Sequence, residues 1–243
     1  MNGKYSLTLF GIVVSIGLII STYLVTDVIR DVRMSHQIIK VRGYAEKVVE
    51  SDLATWTIEL KTRTKNVVEG YNILEKHTFE VLGFLHSNEI NDGEISKTSV
   101  SIEERLKKVG YNETNEIEDY ELTQFIKVRS NDVYKIARIS TQIDTLIKKG
   151  VELQSHTPKF SFSKVNDLKS DLLTAATMDA RSRAAVLAEG SGVKLGYLRA
   201  ARQGKFSILS ATATNISDDS YSDDEYSIGK KVTAVVTVDY SMK

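Results

Sequence analysis

Between Asp52 and Arg63 the side chains alternate without a break. Ala54, Trp56, Ile58 and Leu60 fall on one side, and Thr55, Thr57, Glu59 and Lys61 on the other. A period of two marks a strand with one buried and one wet face. The step then lengthens to three and four residues over about 66–87, where Val67, Tyr71, Leu74, Thr78, Leu82 and Leu85 form one stripe of a helix. That helix can cover the buried face of the strand, so the stretch from Val41 to Leu85 reads as sheet plus helix.

The flanking segments repeat this theme. A strand at about 38–49 comes first, with Gly43 marking a bulge or a close backbone approach, and Glu50-Ser51-Asp52 turns into the next strand. Asn88 to Gly93 leads out of the helix to strands at about 94–104 and 117–129, joined by the polar segment Lys107 to Glu116. In the second, Tyr120, Leu122, Ile126 and Val128 share a face that Gln124 interrupts. Asn131 is placed to cap a helix running to about Lys148, with Val133, Ile136, Ala137, Ser140, Ile143 and Ile147 as its stripe and Gly150 as its stop. Residues 151–164 read as a strand around Pro158, the only proline.

A helix at about 167–189 differs from the others. Ala175, Ala176, Ala180, Ala184, Ala185 and Ala188 give it small side chains, which let a helix axis sit close to its neighbour. A strand at about 196–206 follows, then a polar tract from Asn215 to Tyr226 that reads as a mobile loop, then a strand at Val232–Tyr240. The order β-β-α-β-β-α-β-α-β-β predicts an α+β fold of antiparallel sheets with helices packed on one side.

The first residues are of another kind. Tyr5 to Thr26 is a run of 22 uncharged residues. At about 1.5 Å each it spans a hydrocarbon core of about 30 Å, which predicts an N-terminal transmembrane helix. With no Ala-x-Ala-like site, it reads as an uncleaved signal anchor rather than a cleaved signal peptide. The chain divides into an anchor and stalk at 1–35 and an α+β domain at 36–243, with two interleaved subdomains left open. Lys4 on one side, with Arg30 and Arg33 on the other, leaves the orientation undecided by charge alone.

Composition narrows the chemistry. Lys plus Arg equals Asp plus Glu at 32 each, so no net field points to a nucleic-acid partner. The absence of cysteine excludes disulfides, thiolate metal sites, a cysteine nucleophile and a lipidated N-terminal cysteine. Four histidines occur, at 36, 77, 86 and 156. His77 and His86 are nine apart on one helix and face opposite ways, so they do not share a metal through it. Glu103 and Glu104 are adjacent on a strand and point to opposite faces, a poor acid–base pair. Asp218, Asp219, Asp223, Asp224 and Glu225 lack the spacing of a calcium loop. Gly190-x-Gly192 follows a helix instead of opening one, the reverse of a phosphate loop. Arg181 and Arg183 read as a wet helix face or an oligomer contact. No catalytic, cofactor-binding or metal-binding residue is predicted.

Val41-Arg42-Gly43 ending a strand, the Ser51-Asp52-Leu53-Ala54-Thr55-Trp56 entry and the helix after it resemble the opening of the SIMPL-domain family. Ala180-Arg-Ser-Arg-Ala-Ala185, Leu187-Ala-Glu-Gly190 and Val193-Lys-Leu-Gly196 resemble its second half. The likeness covers about 38–242. One departure is Ser51, where many members have proline. The family includes periplasmic immunogenic and oxidative-stress-defence (YggE-like) proteins. The resemblance implies an envelope location, self-association into large assemblies in some members, a link to stress tolerance and no established catalytic residues. The resulting expectation is a non-catalytic protein of the inner membrane, single-pass, with its domain in the periplasm or outside the cell. Its partners are further copies of itself, in a homo-oligomer larger than a dimer, and the membrane through residues 5–26. A monomeric small-ligand-binding or enzymatic periplasmic domain is the alternative.

Overall fold

A computed structural model describes residues 14–22, 38–109, 112–213 and 224–243. Residues 14–22 are helical and exposed. Among the described residues no helix is long and apolar enough to cross a membrane. The rest of the apolar run, the stalk and His36 lie outside them. The domain follows as β1 (Ile38–Glu50), β2 (Leu53–Thr64), α1 (Val67–Ser87), β3 (Ile95–Lys97), β4 (Ser101–Val109), β5 (Asn112–Ser130), α2 (Val133–Gln142), α3 (Asp144–Lys148), β6 (Leu153–Ser155), β7 (Lys159–Ser161), α4 (Val165–Gly190), β8 (Leu195–Gln203), β9 (Ser207–Ser210) and β10 (Gly229–Met242). The architecture is α+β with antiparallel sheets.

The residues fall into two units. The larger is Val48–Val165 with Ile208–Val232. Its six-stranded sheet has the order β3-β5-β2-β6, with β4 paired to β5 and β7 to β2. β2 and β5 run in unbroken antiparallel register from Ala54↔Ser130 to Thr64↔Tyr120. The period of two places Ala54, Trp56, Ile58 and Leu60 on one face, all fully buried. They meet Leu74, Val81 and Leu85 of α1, Val133, Ile136 and Ile139 of α2, Ile143 between the two helices, and Leu146 of α3. Each large side chain among them contributes about 1.5–3 kcal/mol on burial. The indole N–H of Trp56 donates to Ser155 Oγ at 3.0 Å, so the core's largest side chain leaves no polar atom unpaired and β6 is fixed against β2. Gln124 is accounted for in the same way: it accepts from Thr78 Oγ1 at 2.8 Å and donates to the Thr98 carbonyl at 2.9 Å.

The smaller unit draws on the described residues of Met1–Lys47, Asn166–Ser207 and Thr233–Lys243. Its sheet has the order β1-β10-β8, with β9 as a fourth strand on β10. Ala234, Val236, Val238 and Tyr240 of β10 are buried, every second residue as the alternation requires. α4 buries Leu172, Ala176, Ala180, Ala184 and Ala188, a stripe with a step of four. It lies close on β1. A Cβ at Gly43 would overlap the Ala176 carbonyl and stand 2.6 Å from both Cβ and N of Ala180. Gly43 is therefore a close approach, the second of its two expected roles.

Several expectations are corrected. The buried stripe of α1 is Gly70, Leu74, His77, Thr78, Val81 and Leu85, while Tyr71 is half exposed. The helix is turned about one residue from its apolar count because Gly70 must face Thr64 and Leu122, where a Cβ would have neighbours at 2.5 and 2.9 Å. The cap of α2 is Asp132 rather than Asn131, its carboxylate accepting the Lys135 N–H at 2.9 Å. The stripe there runs through Ile139 and Leu146, and Ile147 is exposed. The strand expected at 94–104 is two, β3 and β4, and the polar segment after it belongs to the β4–β5 hairpin. Residues 151–164 hold two three-residue strands instead of one long one, and β9 was not foreseen. Ala175 and Ala185 of α4 are exposed. Ser51 donates its N–H to the Ile228 carbonyl at 2.9 Å, a bond that a proline there cannot make.

The polar tract 215–226 is described only from Asp224, and that end is fixed. Asp224 N–H donates to the Ile208 carbonyl, and the Glu225 carbonyl accepts from Phe160 N–H at 2.7 Å. The Asp224 carboxylate accepts from the N–H groups of Tyr226 and Ser227 and pairs with Lys230, which is 1% exposed. A buried ammonium needs such a partner, since an isolated one is costly.

Candidate functional site

Two surfaces carry more than scaffold. The first is the pair of sheet edges in the smaller unit, since β1 and β8 stand at the two ends of the order β1-β10-β8. On β1 the outward N–H of Tyr44 donates to the Asp179 carboxylate at 2.9 Å, and Arg183 Nε donates to the same oxygen at 2.8 Å. The backbone N–H of Tyr44, the larger influence, and Arg183 hold the Asp179 carboxyl below the usual carboxylate range against its partial burial. Arg183 is thus tied to a neighbour one turn away. On β8, Tyr197 is 69% and Leu198 51% exposed. Lys243 lies 3.9 Å over the Tyr197 ring and lowers its hydroxyl pKa through a hydrogen bond and its charge.

The second surface is the polar face of the larger sheet. The register that buries Trp56 sets Thr55 opposite Arg129, Thr57 opposite Lys127 and Glu59 opposite Phe125. Short strands β6 and β7 extend this face, with Lys159 paired to Thr55 and the N–H of His156 donating to the Thr57 carbonyl at 3.0 Å. Between them lies a concavity of about 330 Å³ lined by Thr55, Thr57, Phe125, Lys127, His156, Thr157 and Lys159. Two of its basic side chains have carboxylate partners at the rim: His156 Nε2 lies 3.3 Å from Glu59, and Lys159 Nζ 2.5 Å from Glu225. Glu225, by hydrogen bond and charge, raises the Lys159 pKa. Among the described residues Lys127 has no such partner. The alternation of β5 sets Phe125 on the polar side, and this aromatic in a polar row is the one mark of the concavity that the sequence carries.

The residues weighed for chemistry are dispersed. His77 is buried in α1 with Nδ1 unpaired, whereas His86 is exposed and 2.9 Å from Asp92. Burial, the largest influence, pushes the His77 imidazole pKa down, with Glu152 pulling the other way. Glu103 and Glu104 both lie exposed on β4. Among the described residues no three His, Asp or Glu side chains are grouped to hold a metal ion. Asp52 is a structural clasp. Burial would raise its pKa, but the N–H and hydroxyl of Ser163, at 2.7 and 2.8 Å, outweigh it and hold the carboxyl low.

Compared with known protein families, residues 39–240 match the SIMPL family, described as a protein of unknown function (DUF541). No curated protein matches the chain.

Proposed function

The chain belongs to the SIMPL family, and on that premise we propose that it is a non-catalytic, membrane-anchored envelope protein that self-associates into a homo-oligomer larger than a dimer. The observation that carries the reading is the sheet β1-β10-β8, which ends in two long strands, one of 13 residues and the other of nine, with no strand beyond either among the described residues. Unpaired edges recruit other strands unless they are blocked. Asp179 occupies one N–H on β1, whereas β8 exposes Tyr197 and Leu198 beside its edge. Two unlike edges on one sheet favour a heterologous contact, β8 of one copy to β1 of the next, and such contacts build rings or filaments instead of closed dimers.

The anchor is assigned to residues 5–26 by their length and lack of charge. Confinement to a membrane plane raises the effective concentration of copies and favours weak self-association. The family resemblance adds a role in stress tolerance within the periplasm. The test is the mass of the full chain in mild detergent by light scattering. A multiple above two is expected, and a clean monomer overturns the assembly. Extraction of the chain from membranes by alkaline carbonate, or a mature N-terminus near residues 22–36, overturns the anchor.

A further inference from the structure

The concavity on the polar face of the larger sheet brings three features together. Its floor holds an aromatic ring, Phe125, whose cross-strand neighbour is the carboxylate residue Glu59. Lys127, on its wall, has no carboxylate partner among the described residues, although Lys159 and His156 there do. The hydroxyls of Thr55 and Thr57, side by side along β2, make no hydrogen bond within the described protein. We propose that this concavity binds a small organic anion: a carboxylate carried on a flat apolar body, the carboxylate on Lys127 and the threonine hydroxyls, the body on Phe125.

The chemistry selects this class over other anions. Phosphate sites draw on convergent backbone N–H groups at helix N-termini or nests. Here the N–H groups of β2 and β5 are committed to their ladder, and the floor is a strand face with no helix end. A volume of about 330 Å³ holds one ring and a short acid arm, at the small end of the roughly 300–1,000 Å³ of ligand pockets. An aromatic floor adds selectivity for a flat body, which inorganic anions lack. Lys159 and His156 are already engaged by Glu225 and Glu59, so neither offers a second free charge. One free ammonium suits a monoanion. The site belongs to the larger unit and the β1-β10-β8 sheet to the smaller, so the proposal stands whether or not the assembly forms.

The probe is 4-fluorophenylacetate, titrated onto the full chain in mild detergent and followed by fluorine NMR against a protein-free detergent blank. Saturable binding is expected at neutral pH, weakened about tenfold or more by Lys127→Gln, as for loss of a hydrogen bond to a charged group. The neutral 4-fluorophenylacetamide should bind about tenfold more weakly than the acid, for the same reason. Phe125→Thr should weaken acid and amide alike, because it removes the floor rather than the charge. Trp56 fluorescence reports whether each variant is folded, and Lys127→Gln changes only an exposed side chain. No saturation up to about 10 mM acid, equal binding of acid and amide, or unchanged binding in folded Lys127→Gln would each overturn the proposal.

Discussion

Replacing Gly43 by alanine adds one methyl group at the closest contact between strand and helix in the smaller unit. That methyl would overlap the Ala176 carbonyl and lie 2.6 Å from Cβ and N of Ala180, where ordinary contact is 3.4–4 Å. Most of the obstruction is backbone, so no rotamer change relieves it. α4 must withdraw by about 1 Å, and a gap of that size forfeits a quarter to a half of each dispersion contact along the facing stripe. Overpacking of this kind costs about 1–3 kcal/mol, at the upper end here because the helix backbone is struck. Gly→Ala returns about 0.4–1 kcal/mol by restricting the unfolded chain. The net expectation is a loss of about 2–2.5 kcal/mol, the upper-end cost less that return. Hydrogen exchange of peptides from 165–190 reads this unit directly, while fluorescence of the single tryptophan, Trp56, reads the larger unit. Gly83→Ala in α1 is the control: nothing lies within 4 Å of its added methyl, so it should stabilise by up to about 1 kcal/mol. Unchanged α4 protection in Gly43→Ala would refute the close approach.

Ala184→Leu should cost about 1–3 kcal/mol, because Ala184 is fully buried; an unfolding midpoint equal to the parent's would contradict that packing. The folded-state pKa of Asp179 is depressed, so its contribution is complete above the unfolded value of about 3.9 and disappears as pH falls through the lower folded value. Exchange at the Tyr44 N–H should accelerate in that acid window, and Asp179→Asn should flatten the response. His77 is depressed by burial, so the unfolded chain binds a proton first and stability of the larger unit falls as pH drops below about 6.5; a His77→Leu variant with the same pH slope by Trp56 fluorescence would exclude this residue as the cause. Deleting 214–223 with a short linker should leave Trp56 buried, whereas extending the deletion through Glu225 should not, because Asp224 and Glu225 bond to Ile208 and Phe160; equal fluorescence for the two deletions would count against that fixed end.

The parts of this fold that could be read from the chain are those where one period dominates. β2 and β10 alternate cleanly because each has one face in a core, and their strands lie where the pattern puts them. The helices could be located but their rotation could not. Gly70 and His77 are buried without being apolar, while Tyr71 and Ile147 are apolar without being buried. Both exchanges depend on how near the sheet passes, which is a long-range fact. The β4–β5 hairpin was underestimated for the opposite reason: its residues are mostly exposed, so pairing holds it extended with little alternation to announce it. The candidate ligand site was half legible. Phe125 on a polar face is visible from parity alone, but β6 and β7, which bring His156 and Lys159 beside it, are too short to leave a pattern.

β1 is paired with β10, a strand that begins about 190 residues later. A ribosome adding about 5–20 residues each second needs roughly 10–40 s to cover that distance. For all of that time the first strand of the domain has no partner, while Val48–Val165, the main part of the larger unit, emerges complete. The first strand made is among the last to be closed. Lys40, Arg42, Glu46, Lys47 and Glu50 give it a charge at short intervals, the composition that discourages indiscriminate pairing between unfinished chains before β10 arrives. Those charges answer to the order of synthesis as much as to the finished sheet.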